Sequence, residues 1–183
     1  MVSQDYQRPI TEWLNQNHSG LKFGFALPGL ERQDSVLSGL RSCDSDTELV
    51  FIHDGARPNP SQSLIMRLFH RCLESGYGVI PGLTITDSVK AVDNCNMIQG
   101  NVNRQILRLV QTPQVFLYQD ILQAYVNHIG HPEGTDDSWF ALKQGIAVEI
   151  VRGEESNFKL TVKEDFKRMQ ELMTEVCGEG SKT

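Results

Sequence analysis

The residues best suited to chemistry follow a short apolar run. Residues 49–52 (LVFI) are typical of a buried strand, and the chain continues as HDGARP over residues 53–58. The carboxylate of Asp54 can hold a divalent cation or a sugar hydroxyl, Gly55 allows a ligand to approach the backbone, and Arg57 can bind a phosphate through its planar guanidinium. An ordinary turn that ends the strand and carries a surface Asp–Arg pair is the alternative.

A second polar cluster stands at the start of a predicted helix. In the segment PGLERQDSVLSGL, Gly29 is followed by Arg32, Asp34 and Ser35. The free backbone N–H groups of a helix N-terminus favour anions or polar ligand atoms. A simple helix cap by Asp34 or Ser35 is the alternative interpretation.

Three further segments carry candidates that are weak when taken one at a time. Thr112 precedes Pro113, which favours an extended path for the chain. Thr135 or Asp136 would cap a helix, and Lys159 stands alone among neutral side chains at a predicted strand start. A helix cap and a solvated lysine are the ordinary interpretations of the last two segments.

The elements that would position these residues alternate in type along the first half of the chain. This alternation is typical of a parallel sheet covered by helices on both faces, and ligands collect at the carboxyl ends of such strands. The predicted elements are a helix over 5–18, a strand over 21–27, a helix over 33–42, a strand over 48–53, a helix from about Pro60 to a stop at Gly76, and a strand over 77–83.

Polar, alternating segments between residues 84 and 108 interrupt this order. The turn signal at residues 93–96 joins them and predicts a hairpin arm. Because the arm contains few large apolar residues, we expect it to pack on another subunit.

Further helices and strands follow the arm. The tail over 178–183 has nothing to bury and is predicted to be disordered. The predicted order is the segment 107–116, a helix over 118–128, a helix from 135–136 to Gly145, a strand over 146–151, and a last helix opened by a capping box at Thr161–Glu164.

Composition favours a single soluble domain. The 183 residues are 39% hydrophobic and 22% charged, and no apolar run approaches the ~18 residues of a membrane span. The net charge of −6 disfavours a nucleic-acid binder, which needs a basic field on one face. No signal peptide is recognisable, so we expect a cytoplasmic protein or a chain that lacks its own beginning. The four dispersed cysteines fit reduced thiols better than a zinc site.

Taken together and in order, these segments resemble one enzyme family. The segments GLERQDSVLSGL, VFIHDGARP, TITDSVK, VNR, QTPQVF, TDD and SNFKLT resemble the 2-C-methyl-D-erythritol 4-phosphate cytidylyltransferases of non-mevalonate isoprenoid biosynthesis, from about residue 25 to 172. The resemblance implies an α/β, Rossmann-like nucleotidyltransferase fold with a mostly parallel sheet and a protruding β-hairpin arm. It also implies transfer of CMP from CTP to methylerythritol phosphate with Mg²⁺, and release of pyrophosphate.

The resemblance also implies roles for particular residues. It places Asp54 near the metal and the nucleotide, and Lys159 against charge on the reacting α-phosphate. It implies a homodimer that exchanges the arm over 84–108. The other implied positions are Gly29 and Ser35 at cytosine and ribose, Gly55 and Ala56 in the nucleotide pocket, and Arg57, Ser88, Arg104, Thr112 and Thr135 on the acceptor side.

The sequence departs from the family in three places. Asn103 replaces an aspartate that could orient Arg104, and Leu30 stands where a glycine or polar residue is common. The family's opening strand and glycine-rich loop are not found, so we expect residues 1–183 alone to fold poorly, to bind CTP weakly and to lack activity. A cytidylyltransferase for ribitol 5-phosphate and a non-catalytic remnant that binds a partner remain alternatives.

Overall fold

The computed structural model describes residues 4–131 and 133–179. Within these residues, no helix is both long enough and apolar enough to cross a bilayer. In chain order the elements are α1 (Gln4–Asn17), α2 (Arg32–Arg41), β1 (Leu49–Ile52), α3 (Gln62–Ser75), β2 (Gly78–Thr84), β3 (Val89–Val92), β4 (Ile98–Val102), β5 (Arg108–Val110), β6 (Gln114–Leu117), α4 (Tyr118–His128), α5 (Asp137–Lys143), β7 (Val148–Arg152) and α6 (Lys163–Glu179).

The chain divides into two compact units. The first takes residues up to Ile52, Gly76–Gly78 and Val115–Val148, and the second takes His53–Ser75, Val79–Gln114 and the chain from Glu149 onward. The predicted positions of the helices and most strands are confirmed to within about three residues. Residues 178 and 179 belong to α6, and residues 180–183 of the predicted disordered tail lie outside the described residues.

The first unit is built on three helices and a strand pair. Helix α4 packs against both α2 and α5, and β1 pairs with β6. The side chains of Ile121, Tyr125 and Phe140 are fully buried, and the last two rings stack with their centroids 4.0 Å apart. Burial of this apolar surface holds the helices that carry Arg32, Ser35 and the residues of α5.

The second unit is built around β2, which pairs with both β5 and β7. Strand β5 runs antiparallel to β2, with Gly82 opposite Val110. The Gly153 N–H donates to the Gly82 carbonyl oxygen at 2.9 Å. A Cβ added at Gly153 would meet Gln111 Oε1 at 2.5 Å, and one at Gly82 would meet Ile150 at 2.7 Å. Both glycines are therefore required by close approach of neighbouring segments.

The predicted arm is a hairpin, as expected. Strands β3 and β4 are antiparallel, with Val89 opposite Val102. In the turn, Asp93 Oδ1 accepts hydrogen bonds from the N–H groups of Cys95 at 2.9 Å and Met97 at 3.0 Å. These bonds, that of Met97 first, lower the pKa of the Asp93 carboxyl. The tip of the arm is thus closed by its own residues.

Three local predictions are wrong. Lys159 does not start a strand, because residues 157–161 form an irregular segment between β7 and α6. Residues 21–27 form no strand: Leu21 and Leu27 remain 56% and 70% exposed. Their alternating pattern suits a sheet, but a strand needs a hydrogen-bonded neighbour, and the described residues pair none with this segment. The capping box before α6 is closed by Asp165 rather than Glu164, because Asp165 Oδ2 accepts hydrogen bonds from the N–H groups of Thr161 at 2.8 Å and Val162 at 3.0 Å.

Candidate active site

A tight turn carries the predicted carboxylate directly after β1. The Arg57 N–H donates to the Asp54 carbonyl oxygen at 2.9 Å and closes the turn. The Asp54 N–H donates to Thr112 Oγ1 at 3.0 Å, although 58 residues separate the two. Within the second unit, the turn is therefore anchored to the segment between β5 and β6, and the direction of the Asp54 side chain is restricted.

Two cations surround the Asp54 carboxylate. Lys159 Nζ donates to Asp54 Oδ2 at 3.0 Å, and Arg57 Nε lies 3.8 Å from the same oxygen. The Asp54 side chain is 15% exposed and that of Arg57 is 13% exposed, whereas the Lys159 side chain is 45% exposed. The carboxylate is thus partly enclosed, while the lysine remains open to a ligand.

The segment that carries Lys159 is held on both sides. Before it, the buried Asn157 donates from Nδ2 to the Thr112 carbonyl oxygen at 2.8 Å, and its own carbonyl accepts a hydrogen bond from Arg57 Nη1 at 2.9 Å. After it, the Leu160 N–H donates to the Ala56 carbonyl oxygen at 2.8 Å. Lys159 therefore projects from a segment with restricted backbone positions.

The side chain of Gln111 fixes the loop before Asn157. Its Nε2 donates to the Glu154 carbonyl oxygen at 2.8 Å and its Oε1 accepts from the Glu154 N–H at 3.1 Å. Gln111 is 4% exposed. These two hydrogen bonds satisfy the N–H and carbonyl groups of Glu154, as pairing with a neighbouring strand would do in a sheet.

The balance of charge at this cluster is positive. One carboxylate faces two cations, so the sum is one positive charge in a chain whose net charge is −6. Burial lowers the pKa of the Arg57 guanidinium, and the Asp54 charge opposes this effect. Arginine remains charged at any physiological pH. The cluster is therefore suited to an anion such as a phosphate.

The turn leaves room for a ligand against its backbone. A Cβ added at Gly55 would meet nothing within 4 Å, so the protein itself does not require glycine there. The described residues contain no group of three His, Cys, Asp or Glu side chains that could hold a metal. Asp54 is the carboxylate of this cluster that could contact a cation, and Mg²⁺ commonly uses one or two carboxylates and completes its shell with substrate phosphates and water.

The arm brings together two of the predicted acceptor-side residues. Ser88 and Arg104 line one cavity of about 260 Å³ on the arm, together with Lys90. Arg104 Nη1 donates to the Thr86 carbonyl oxygen. Asn103 does not orient Arg104; its Oδ1 accepts a hydrogen bond from the Gln105 N–H at 3.1 Å and caps a short 3₁₀ turn.

In the first unit, Gly29 and Ser35 are directly joined. The Gly29 N–H donates to Ser35 Oγ at 3.0 Å, and a Cβ added at Gly29 would lie 2.0 Å from Asp34 Cβ. The loop therefore requires glycine at this position. Asp34 is not the N-cap: its Oδ2 accepts a hydrogen bond from the N–H of the N-cap residue, Glu31, at 3.0 Å. Leu30 is fully exposed.

A buried ion pair in the first unit was missed by sequence analysis. Arg32 donates to both carboxylate oxygens of Asp137, at 2.9 and 2.7 Å, and the Tyr125 hydroxyl donates to Asp137 Oδ1 at 2.5 Å. Asp137 is completely buried. One signal was available: Asp137 lies three and four residues before Phe140 and Ala141, so it shares their apolar helix face.

Thr135 is exposed in the turn that precedes α5. Asp136, the second of the two predicted cap residues, is the N-cap, and its Oδ1 accepts a hydrogen bond from the Trp139 N–H at 3.0 Å. The structure therefore groups Asp54, Gly55, Ala56, Arg57, Thr112 and Lys159 in the second unit. Ser88 and Arg104 share the arm, Gly29 in the loop before α2 is hydrogen-bonded to Ser35 within α2, and Thr135 lies before α5 in the first unit.

The sequence as a whole decides the family. Residues 8–175 match the family described as "IspD: 2-C-methyl-D-erythritol 4-phosphate cytidylyltransferase". This chain belongs to that family. The protein named 2-C-methyl-D-erythritol 4-phosphate cytidylyltransferase of Dictyoglomus thermophilum is 34% identical over 171 residues, which cover 92% of this chain and 72% of the relative.

Solved structures of cytidylyltransferases agree with this assignment. The 4-diphosphocytidyl-2C-methyl-D-erythritol synthase of Anaerococcus prevotii superposes with a TM-score of 0.81 at 28% identity, covering 93% of this chain and 75% of that one. The cytidylyltransferase of Thermus thermophilus gives a TM-score of 0.72 at 28% identity, covering 90% and 89%. The predicted resemblance and the α/β, Rossmann-like fold class are both confirmed.

Some members of the cytidylyltransferase family carry a second activity in one chain. The "Bifunctional enzyme IspD/IspF" of the Wolbachia of Brugia malayi is 34% identical over 177 residues, which cover 92% of this chain and 43% of the relative. This chain therefore spans less than half the length of that bifunctional relative.

Proposed function

We propose that this chain transfers CMP from CTP to 2-C-methyl-D-erythritol 4-phosphate and releases pyrophosphate. The observation that carries the proposal is the contact of 3.0 Å between Lys159 Nζ and Asp54 Oδ2, in a family of cytidylyltransferases. The lysine is exposed while the carboxylate is partly enclosed. An arriving phosphate can therefore contact the cation without displacing the turn that holds Asp54.

The charge of the cluster suits the reaction. The phosphate of the acceptor attacks the α-phosphorus of CTP, so an anion approaches an anion and negative charge gathers on the phosphoryl oxygens. Fixed cations at that place lower the barrier because they interact more strongly with the transition state than with the separate substrates. Lys159 supplies such a cation, and the bonds of Asn157 and Leu160 keep its backbone in place.

Magnesium would be held by Asp54 together with the phosphates of the nucleotide. The ion would supply further neutralisation of phosphate charge when bound. Support comes from the enclosed Asp54 carboxylate, since Mg²⁺ commonly binds through one or two protein carboxylates together with substrate phosphates. Removal of Mg²⁺ with a chelator is expected to abolish transfer.

The acceptor phosphate is assigned to the arm. Arg104 and Ser88 line one small cavity there, and a guanidinium and a hydroxyl are both donors suited to phosphate oxygens. Thr112, Thr135 and Arg57 complete the proposed acceptor side, while Gly29, Ser35, Gly55 and Ala56 serve the nucleotide. Arg104→Ala is expected to weaken binding of methylerythritol phosphate and to leave CTP binding unchanged.

A homodimer through residues 84–108 is part of the proposal. Several apolar side chains of the arm are exposed, among them Met97 at 64% and Ile106 at 77%, and such a surface favours a protein partner. Ser88 and Arg104 of one protomer would then serve the Asp54 and Lys159 of its partner. Mixed dimers of Arg104→Ala and Lys159→Ala chains should regain about half of one intact dimer's activity if sites are shared in this way.

The reaction is tested with the full natural polypeptide that carries these residues. Pyrophosphate release should require CTP and methylerythritol phosphate together, and ribitol 5-phosphate should support it at least about tenfold less well, the loss that one hydrogen bond can cause. Equal rates with both acceptors would favour the polyol alternative. A folded polypeptide that releases no pyrophosphate with either acceptor would refute the proposal. A cytoplasmic location stays a prediction.

A further inference from the structure

The imidazole of His53 bridges the turn and the segment that anchors it. His53 Nε2 lies 2.8 Å from the Arg57 carbonyl oxygen, and His53 Nδ1 lies 3.0 Å from Thr112 Oγ1. The same Thr112 oxygen accepts the Asp54 N–H at 3.0 Å. One ring therefore contacts both ends of the structure that holds the Asp54 carboxylate.

The chemistry of these partners determines where the hydrogens lie. A carbonyl oxygen only accepts, so His53 Nε2 must carry a hydrogen. The Asp54 amide only donates, so Thr112 Oγ1 is its acceptor and the Thr112 hydrogen is left for His53 Nδ1. In the neutral imidazole Nδ1 is then an acceptor. Each of the three donors, the Asp54 N–H, the Thr112 hydroxyl and the His53 Nε2–H, thus has one acceptor.

The other neutral tautomer does not fit this arrangement. With its hydrogen on Nδ1, the ring would present a bare Nε2 to the Arg57 carbonyl oxygen, and two acceptors would lie 2.8 Å apart. The tautomer with hydrogen on Nε2 is the one that uses each contact once.

We propose that His53 is a positioning residue for the transfer reaction. In the Nε2–H form, His53 donates to the Arg57 carbonyl oxygen and accepts a hydrogen bond from the Thr112 hydroxyl, and Thr112 Oγ1 in turn accepts the Asp54 N–H. These hydrogen bonds keep the Asp54 carboxylate against Lys159. Both nitrogens are engaged by the protein, so His53 acts through Asp54 and Thr112 and not on substrate. The kinetic part rests on the proposed function, whereas the hydrogen positions do not.

The exposure of His53 makes the proposal testable by substitution. Removal of an exposed ring leaves no buried cavity, so His53→Ala is expected to fold. His53→Asn places an amide near the position of Nδ1 and can restore the contact with Thr112, which a merely space-filling residue would not do. Thr112→Val removes the hydroxyl at similar volume, and Thr112→Ser keeps it.

The first measurement is nitrogen-15 NMR of the histidine side chains at about pH 8, where an ordinary histidine is neutral. The protein has five histidines, and loss of one set of signals in His53→Gln assigns that of His53. We expect Nδ1 to have the chemical shift of a bare nitrogen and Nε2 that of a protonated one. A dominant Nδ1–H tautomer, or an even mixture of the two, would overturn the proposal.

The second measurement is amide hydrogen exchange at Asp54, which needs no substrate. Exchange of this N–H should be about fivefold faster in His53→Ala than in the wild type, because its acceptor is no longer oriented. His53→Asn should return the rate to near the wild-type value. An unchanged rate in His53→Ala would count against the proposal even if no cytidylyl transfer is ever observed.

The third measurement is a double-mutant cycle on kcat. His53→Ala should lower kcat about 5- to 10-fold, the worth of one or two oriented hydrogen bonds, and should change KM for CTP little. In the Thr112→Val background the same change should lower kcat less than about twofold, since the connection is already broken. In the Thr112→Ser background the full loss should return. Equal losses in all three backgrounds would refute a role through Thr112.

Discussion

Two ion pairs, one in each unit, join residues 105 positions apart but differ in burial. In the first unit the Asp137 carboxylate is completely enclosed, and it accepts two hydrogen bonds from Arg32 and one from Tyr125. In the second unit the Asp54 carboxylate is 15% exposed and meets Lys159, which is 45% exposed, through one oxygen. The two pairs have the same kind of charge but different freedom to exchange partners.

This difference explains which pair is suited to chemistry. A completely buried carboxylate that loses its cation is left charged in a medium of low dielectric, which costs much free energy. Such a carboxylate therefore keeps the same partners as long as the protein is folded. An exposed lysine contributes little to stability in water, and it can turn to a phosphate at small cost. The two cations, Arg32 and Lys159, are 37% and 45% exposed. Burial of the carboxylate and the number of its hydrogen bonds therefore distinguish a scaffold pair from a pair available to substrate.

The largest expected effect on stability comes from Asp137→Ala. The change removes two charge-assisted hydrogen bonds from the partly exposed Arg32 and leaves the buried Tyr125 hydroxyl without its acceptor, so the free energy of unfolding should fall by about 3–5 kcal/mol. The matched variant is Asp54→Ala, expected to lose less, about 1–2 kcal/mol, because its partner Lys159 is exposed although the enclosed Arg57 also loses its carboxylate. Urea unfolding followed by tryptophan fluorescence measures both. Equal losses would remove the distinction drawn between the pairs.

Lys159→Ala is expected to affect catalysis strongly and stability little. With the cation gone, kcat should fall about 10²–10³-fold, as when one fixed donor to developing charge is deleted. The free energy of unfolding should change by less than about 1 kcal/mol, and CTP affinity should change little. The assay is pyrophosphate release by the full natural polypeptide.

Lys163→Ala is the matched control for Lys159→Ala. Lys163 is exposed at the start of α6, only four residues away, so its loss removes the same charge from the surface without touching the cluster. An unchanged kcat in Lys159→Ala, or an equal loss in Lys163→Ala, would argue against the assignment of Lys159.

Tyr125→Phe tests the buried pair through pH. Burial first, and then the Asp137 charge, raise the pKa of the Tyr125 hydroxyl. The folded state thus keeps a proton that the unfolded chain loses near pH 10. Stability from this group is complete below about pH 10 and falls as the pH rises further. Tyr125→Phe should unfold more easily by about 1 kcal/mol at neutral pH and should lose less stability than wild type above pH 10. Parallel alkaline curves would contradict this.

The smallest effect is expected for a carboxylate that is exposed and has only local partners. The backbone N–H groups of Thr161 and Val162 lower the pKa of the Asp165 carboxyl. Its contribution is therefore present above the ordinary aspartate pKa of about 3.9 and is lost as the pH falls. Asp165→Ala should slightly lower the melting temperature and speed amide exchange at Thr161, while Glu164→Ala should do neither. The opposite result would restore the capping box predicted from sequence.

Elements with local signals were predictable. Helix α4 was placed at residues 118–128, and the turn after β1 was recognised, because apolar spacing and glycine or proline punctuation act over a few residues. The strand predicted over 21–27 failed for the opposite reason. Its alternation of apolar and polar residues is local, but strand formation depends on a neighbour that only the fold can supply.

The site was predictable in part for the same reason. Asp54 and Arg57 are candidates from their place after a predicted strand, and the resemblance adds roles for Thr112 and Lys159. No spacing rule relates Lys159 to a carboxylate 105 residues earlier. His53 and Asn157 were missed because their roles arise from contacts with Thr112, which is close only after folding. Asp137 follows the predicted cap residues at the start of a helix, and only the apolar helix face that it shares with Phe140 and Ala141 marks it as buried.

The closed tip of the arm has a kinetic consequence. The Asp93 carboxylate accepts hydrogen bonds from the N–H groups of Cys95 and Met97 and from the side chain of Gln99. The turn is therefore ordered without contact with a partner. A partner then loses no free energy to ordering these residues and gains from contact at once. If the arm forms the proposed dimer contact, association should therefore proceed at rates set by collision and orientation, about 10⁵–10⁷ M⁻¹s⁻¹, rather than waiting for a loop to fold.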